Sequence, residues 1–389
     1  MLTASRRRKA LVTFAAFCLV TAALLLATRM GLLDAYFGKG PRLSAGDFPA
    51  GVSAPGGSVA SVPLRPTRLG FTPRGSSSAL LIATGGAVPS DVAPPAPSGK
   101  GLLKSAYALD AVGVAFSREE DLRKALSLGV DRGGVDLAAV SVDRLAAWAS
   151  RLRDAAPRTV LLLGRSQGQE ALAAVGAPDL PSLRGKRLAV DPQGSAYYFA
   201  LWLLSRAALS ITDVQWVDLP STLEAGPALR EGRAEAVVGY KGDAESAAKD
   251  RGGTLVATSA DAPHLLATVL VVRGDFAARY PDAVRRVVRG LLDAASAVQR
   301  EPAAGARALG EVAPYLGDPL EAISSDPPSG LTENLAFFGL AGEAPVTYRE
   351  LWESAANLWS RIGVMREAGP LPSETTDLGV LRSISEPRH

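Results

Sequence analysis

The chain has 389 residues, 47% of them hydrophobic and 21% charged, enough for two α/β units plus non-globular segments. Lysine and arginine number 42 against 39 acidic residues, a net charge of +3, and four of the basic residues (Arg6, Arg7, Arg8, Lys9) are consecutive. The remainder is near neutral, so no nucleic-acid partner is implied. Cys18 is the only cysteine, and His264 and His389 are the only histidines, which excludes an internal disulfide and argues against a Cys/His metal cluster or a Ser-His-Asp triad.

In chain order, residues 1–9 form a basic segment, and Ala10 to Thr28 is an uncharged apolar run ended by Arg29. At about 1.5 Å per residue this run approaches the ~30 Å core of a bilayer. It is also longer than the ~7–15 residues of a secretory signal core. The expectation is an uncleaved transmembrane anchor at 10–28, with residues 1–9 cytoplasmic and everything after Arg29 carried across the membrane. Phe17 before Cys18 departs from a lipoprotein box. Residues 29–66 read as a flexible linker, rich in Gly, Pro and Ser from Lys39 onward. Gly85 to Gly101, with Pro89, Pro94, Pro95 and Pro97, reads as a surface loop.

From Thr67 short apolar strands alternate with amphipathic helices. Strands are expected at Thr67–Phe71, Asp110–Phe116, Val135–Val140 and Thr159–Leu163, with helices at Ala79–Ala83 and Glu119–Leu128 and a helix start after Ser141. The second half repeats the pattern: strands at Arg187–Asp191, Val214–Leu219, Ala234–Gly239, Thr254–Ala257 and His264–Val272, and helices at Ala196–Ala208, Thr222–Glu231 and Pro281–Val298. A helical tail follows to about Met365. This alternation predicts parallel sheets covered by helices.

Three strand ends run through Gly, Pro or Ser into a helix: Thr72 to Ser78, Ser141 to Asp143, and Gly194 to Ala196. Ligands of open α/β sheets bind at such ends, where helix amino termini present free N–H groups. The same residues also serve as ordinary helix caps. Nucleotide-binding glycine spacings are absent. Gly164-Arg165-Ser166-Gln167-Gly168 has the letters of a nucleophile elbow, but a Ser166 hydrolase would need His264 as its base. No catalytic residue, metal or cofactor is expected.

Lined up in order, the chain from about Arg68 to Met365 resembles the type II periplasmic substrate-binding proteins of ABC importers, the group that includes sulfonate, taurine, nitrate and thiamine-precursor binders. The resemblance rests on Leu183-Arg184-Gly185-Lys186-Arg187-Leu188-Ala189-Val190 followed by Gly194-Ser195, on Leu229-Arg230-Glu231-Gly232-Arg233-Ala234-Glu235-Ala236, and on Arg273 to Pro281. Val135 to Ala138 and Arg165 to Gly168 match more loosely. Glu235 in place of Asp, Tyr240 in place of Trp, and the insertion at 85–101 depart from the family pattern.

The resemblance implies a two-lobed α/β fold after the N-terminal transmembrane helix. One lobe would take residues 67–168 plus 264–389 and the other 169–263, with chain crossings near Ser166 to Ala171 and Ala262 to Leu266. It further implies a ligand cleft formed by Thr72, Ser76, Ser77, Ser141, Ser166, Gly194, Ser195 and Tyr240. Arg74, Arg165 and Lys241 lie beside those positions and could pair with an anionic ligand. The implied function is non-enzymatic capture of a small molecule by a monomer at the inner membrane, its domain extracytoplasmic, for delivery to an ABC permease. The alternative is a sensory or envelope-scaffold module on the same fold. A third possibility, the pyrimidine-synthesising relatives of the thiamine-precursor binders, depends on His and Cys residues that this chain lacks.

Overall fold

The computed structural model describes residues 62–73, 77–91, 99–314, 317–367 and 369–385. The expected anchor at 10–28 and nearly all of the linker lie outside the described residues. Among the described residues, no helix is long and apolar enough to cross a membrane.

The first strand, β1 (Thr67–Phe71), is buried throughout, as befits a strand covered on both faces. It leads to α1 (Ser78–Thr84), which ends at Gly85. Gly85 adopts φ 75°, and its N–H donates to the Leu81 carbonyl at 2.8 Å, so a left-handed glycine closes the helix. The stretch expected as a loop then supplies a short strand, β2 (Ala87–Pro89), parallel to β3 (Ala111–Ala115) beyond α2 (Leu102–Ser105). Pro89 cannot donate to a ladder, and β2 accordingly occupies the sheet edge.

Three acidic residues open α3 (Glu119–Leu128), where they favour the helix dipole. The chain continues through β4 (Leu137–Ser141), α4 (Val142–Trp148) and β5 (Arg158–Arg165). Before β4, buried Asp136 takes a bidentate pair from Arg65 at 2.8 and 2.9 Å and the Arg68 N–H at 3.0 Å.

A middle block follows: β6 (Glu170–Ala174), β7 (Arg187–Val190), α5 (Ser195–Arg206), β8 (Gln215–Asp218), α6 (Ala225–Arg230), β9 (Ala236–Tyr240), α7 (Lys241–Asp250) and β10 (Thr254–Thr258). Two of these elements had no counterpart in the sequence reading. Glu170-Ala-Leu-Ala-Ala is helix-forming by composition, yet β6 is held extended between two antiparallel partners, β9 and β10. Gly242 in the first turn of α7 masked that helix.

The chain returns in β11 (Ala267–Val272), which starts after His264 rather than at it, and then runs through helices α8 (Gly274–Arg279), α9 (Pro281–Arg300), α10 (Pro302–Val312), α11 (Pro319–Ser325), α12 (Leu331–Phe337), α13 (Tyr348–Arg361) and α14 (Gly379–Ser385).

The strands form two sheets, in the orders β2-β3-β1-β4-β11-β5 and β10-β6-β9-β7-β8. In the first, β1 is parallel to β3 and β4, while β11 runs antiparallel to both β4 and β5. Residues 170–258 supply every strand of the second. One apolar cluster runs from Val114 and Leu162 through Leu188 and Phe199 to Trp352 and Trp359. At the β5 edge, fully buried Asn334 of α12 accepts the Leu162 N–H at 2.7 Å and donates to the Leu162 carbonyl at 3.0 Å, satisfying groups that an open edge would strand.

Glu235 sits just before β9 and meets the Arg187 guanidinium at 2.6 Å and the Arg187 N–H at 3.0 Å, joining β7 to β9. Arg187 holds the carboxyl down to about 2. A depressed carboxyl stabilises the fold above its unfolded value of ~4.3, and that contribution is lost as pH falls from there through the folded value. In Glu235→Gln the acid unfolding curve is expected to flatten between about pH 4.5 and 2. An unchanged acid limb would show that the pair contributes nothing.

Candidate functional site

The carboxyl ends of β1 and β4 in one sheet and of β7 and β9 in the other open into loops that meet in one seam. Thr72, Phe116, Ser117 and Glu119 line it from the first sheet, and Asp191, Thr222, Leu223 and Tyr240 from the second. The cavity they enclose is ≈ 10 Å³, room for about one water. Across the seam, Ser221 Oγ donates to the Ser117 carbonyl at 2.8 Å and Arg144 Nη1 donates to the Pro192 carbonyl at 3.1 Å. Lys241 Nζ reaches Glu321 at 3.2 Å. Thr72 Oγ1 donates to the buried Glu119 carboxylate at 3.0 Å.

The turn after β7 requires glycine. A Cβ on Gly194 would lie 2.7 Å from Thr222 Oγ1 and 3.2 Å from Asp191 Oδ2. The close approach brings Ser195, at the amino end of α5, into the buried interior. The hydroxyls of Ser195, of Ser141 before α4, and of Ser78 in α1 are buried and have no hydrogen-bond partner among the described residues. Ser77 Oγ donates weakly to the Thr72 carbonyl at 3.4 Å.

Of the residues singled out from sequence, Thr72 and Tyr240 line the seam, and Ser141, Gly194 and Ser195 lie at the helix starts beside it. Arg74 and Ser76 lie outside the described residues. Arg165 has other partners: it donates to the Val346 carbonyl at 2.7 Å and the His264 carbonyl at 3.4 Å, and its guanidinium lies 4.7 Å over the Phe337 ring. Burial brings its pKa down to about 10. Ser166 lies where the chain passes between sheets; its hydroxyl donates to Glu170 and shares a 2.6 Å bond with Ser259 Oγ, which also accepts the Gly168 N–H. No histidine is among its partners. Burial, then Arg165, lowers the His264 pKa.

Arg144 was not anticipated. It is buried, donates through Nε to Asp143 at 2.9 Å, and lies 4.1 Å over the Trp359 ring. Trp359 Nε1 donates to the Asp143 carbonyl at 2.9 Å, while Tyr197 and Tyr198 of α5 pack on Trp359 at 5.8 and 5.5 Å between ring centroids. Arg144 Nη2 and Asp143 Oδ1 have no partner among the described residues. The only sequence signal was a charged pair one turn after a strand end, and its partner Trp359 is more than two hundred positions away. Among the described residues there is no group of three or more potential metal ligands.

Residues 125–312 match the model of the NMT1-like family. The alkanesulfonate-binding protein SsuA of Xanthomonas axonopodis pv. citri superposes with a TM-score of 0.61 at 16% identity, covering 81% of this chain and 99% of that one. The nitrate-binding protein NrtA of Synechocystis PCC 6803 gives 0.61 at 12% identity, covering 83% and 89%. The chain has the fold of the type II solute-binding proteins. Most of the similar type II structures are binding proteins, but the desulfurization enzyme DSZB shares the fold at a TM-score of 0.55 and 15% identity, covering 82% of this chain and 98% of that one. No curated protein sequence matches the chain.

Proposed function

We propose that the protein is an extracytoplasmic solute-binding component of an ABC importer, held at the inner membrane by residues 10–28. Its lobes, 67–168 with 264–389 and 169–263, close on a small organic ligand without covalent chemistry. The observation that supports this is the seam itself. Strand ends of both sheets meet there, with Thr72 and Ser117 on one side and Asp191, Thr222 and Tyr240 on the other. A ligand gripped from both sides stabilises the closed arrangement by its differential affinity. With only ≈ 10 Å³ inside, entry requires the lobes to part. The crossings at Ser166 to Gln169 and Ser259 to Leu266 are the proposed hinge.

Thr72, Ser77, Ser141, Gly194, Ser195 and Tyr240 are the proposed contacts, with Arg74 and Ser76 completing the first loop. Arg144 supports an anionic ligand, since a buried guanidinium with an unused N–H group matches carboxylate, sulfonate or phosphate. The test is mass spectrometry of small molecules released from the denatured full chain, followed by a thermal-shift screen of sulfonates, nitrate and vitamin precursors. A true ligand at a hundred times its Kd is expected to add about 2.7 kcal/mol to unfolding. No retained molecule and no shift across the screen would overturn the reading.

The alternative, a sensory or envelope-scaffold module, draws support from the seam contacts Ser221–Ser117 and Arg144–Pro192, which close it through the protein alone. Co-purification with a permease in place of other envelope proteins separates the two.

A further inference from the structure

A groove far larger than the seam cavity lies elsewhere. It has a volume of ≈ 1380 Å³ and runs between α4, α13 and the chain segment that precedes α14. Arg158, at the start of β5, lines it, whereas Arg165, at the other end of that strand, lies at the crossing between sheets. The groove therefore opens at the opposite end of the first sheet from the seam. Its outer wall is fastened to β5: the Asp377 N–H donates to the Thr159 carbonyl at 2.9 Å, and the buried Tyr348 hydroxyl bonds Thr159 Oγ1 at 3.2 Å and Thr375 Oγ1 at 2.8 Å.

The charges around this groove are unevenly satisfied. Its carboxylates are engaged: Glu367 with Arg153 at 3.2 Å, Glu374 with the Leu371 N–H at 2.9 Å, and Asp377 with the Gly379 N–H at 3.2 Å. The side chains of Arg158, Arg349, Arg366 and Arg382 have no hydrogen bond or ion pair among the described residues. Like charges gathered round one concavity repel, and an anion entering it relieves that repulsion. Guanidinium forks suit a carboxylate bidentately. Half-buried Phe338 and Met365 also line the groove and offer an apolar surface.

We propose that this groove is a second binding site, for an amphipathic carboxylate whose head is taken by Arg158 and Arg349 and whose apolar body lies along Phe338 and Met365. A groove of this volume exceeds the ~300–1,000 Å³ of ordinary small-molecule pockets, which favours a bulky or long body over a bare inorganic anion.

The probe is 2-naphthoate, titrated into the full chain in an uncharged detergent and followed by calorimetry and saturation-transfer NMR. Saturable binding is expected, with uncharged 2-naphthylmethanol giving none. The double variant Arg158→Ala/Arg349→Ala is expected to weaken binding by about tenfold or more, the loss of one charge-assisted contact. Arg158→Lys/Arg349→Lys should recover part of it, and Tyr240→Ala at the seam should leave it unchanged. Both arginines are on the surface, so matching melting curves will show that the fold survives. No saturable binding, equal affinity in the double alanine variant, or loss through Tyr240→Ala would overturn the proposal.

Discussion

Trp359→Ala is expected to cost about 3–5 kcal/mol of unfolding free energy, the range for truncating a fully buried aromatic. Trp359 has no exposed surface and carries four interactions at once: the Tyr197 and Tyr198 rings, the Arg144 guanidinium and the Asp143 carbonyl. It belongs to α13, which follows the first sheet, whereas both tyrosines belong to α5, in the block that forms the second. The truncation should therefore loosen one sheet's layer against the other as well as empty a cavity. Urea unfolding gives the energy, and the radius of gyration from small-angle scattering reports the loosening. Trp359→Phe should lose less, keeping ring contact but leaving the Asp143 carbonyl without its donor. A loss under about 1 kcal/mol in the alanine variant would show that the site collapses around the missing ring.

Arg144→Met should be nearly as damaging, for a different reason. Both Asp143 and Arg144 are buried, and the carboxylate's side-chain partner is that guanidinium at 2.9 Å. Removing one member of a buried pair leaves an uncompensated charge, at about 3–5 kcal/mol. Replacing both, Asp143→Leu with Arg144→Met, is expected to recover most of the loss, because apolar groups of similar volume need no counter-charge. The comparison is made by chemical denaturation of the two variants side by side. A double variant no more stable than the single would mean that Arg144 contributes through its stacking on Trp359 and its bond to Pro192, not by neutralising Asp143.

These contacts mark where sequence reasoning stops. The strands β1, β3, β5, β7 and β11 were legible because short runs such as Thr159 to Leu163 are apolar and bounded by turn residues. Helix α3 was legible to its end residues because acids open it and Gly129 follows it. Strand β6 was illegible, since its alanines become a strand only between β9 and β10, and neither partner is adjacent to it in the chain. At the candidate site, Thr72, Ser141, Gly194 and Ser195 could be read because each sits at a strand-to-helix junction that sequence displays. Arg165 could not be assigned from sequence, because its partners, Val346 and Phe337, lie far along the chain. The pairing of Arg144 with Trp359 is likewise a product of tertiary packing alone.

The placement of β11 between β4 and β5 has a consequence for how the chain is made. Emerging from the ribosome, residues 67–165 hold five of the six strands of the first sheet but not the one that joins β4 to β5. The second sheet comes from one uninterrupted stretch, 170–258, and can be complete before that missing strand is synthesised. At about 5–20 residues per second, the ~100 residues separating β5 from the end of β11 take roughly 5–20 s to appear. For that interval β4 and β5 each present an unpaired edge, the geometry that templates aggregation. The nascent chain is then most exposed not while its first half is short but while its middle is being finished, and factors that shield strand edges during synthesis should matter most in that window.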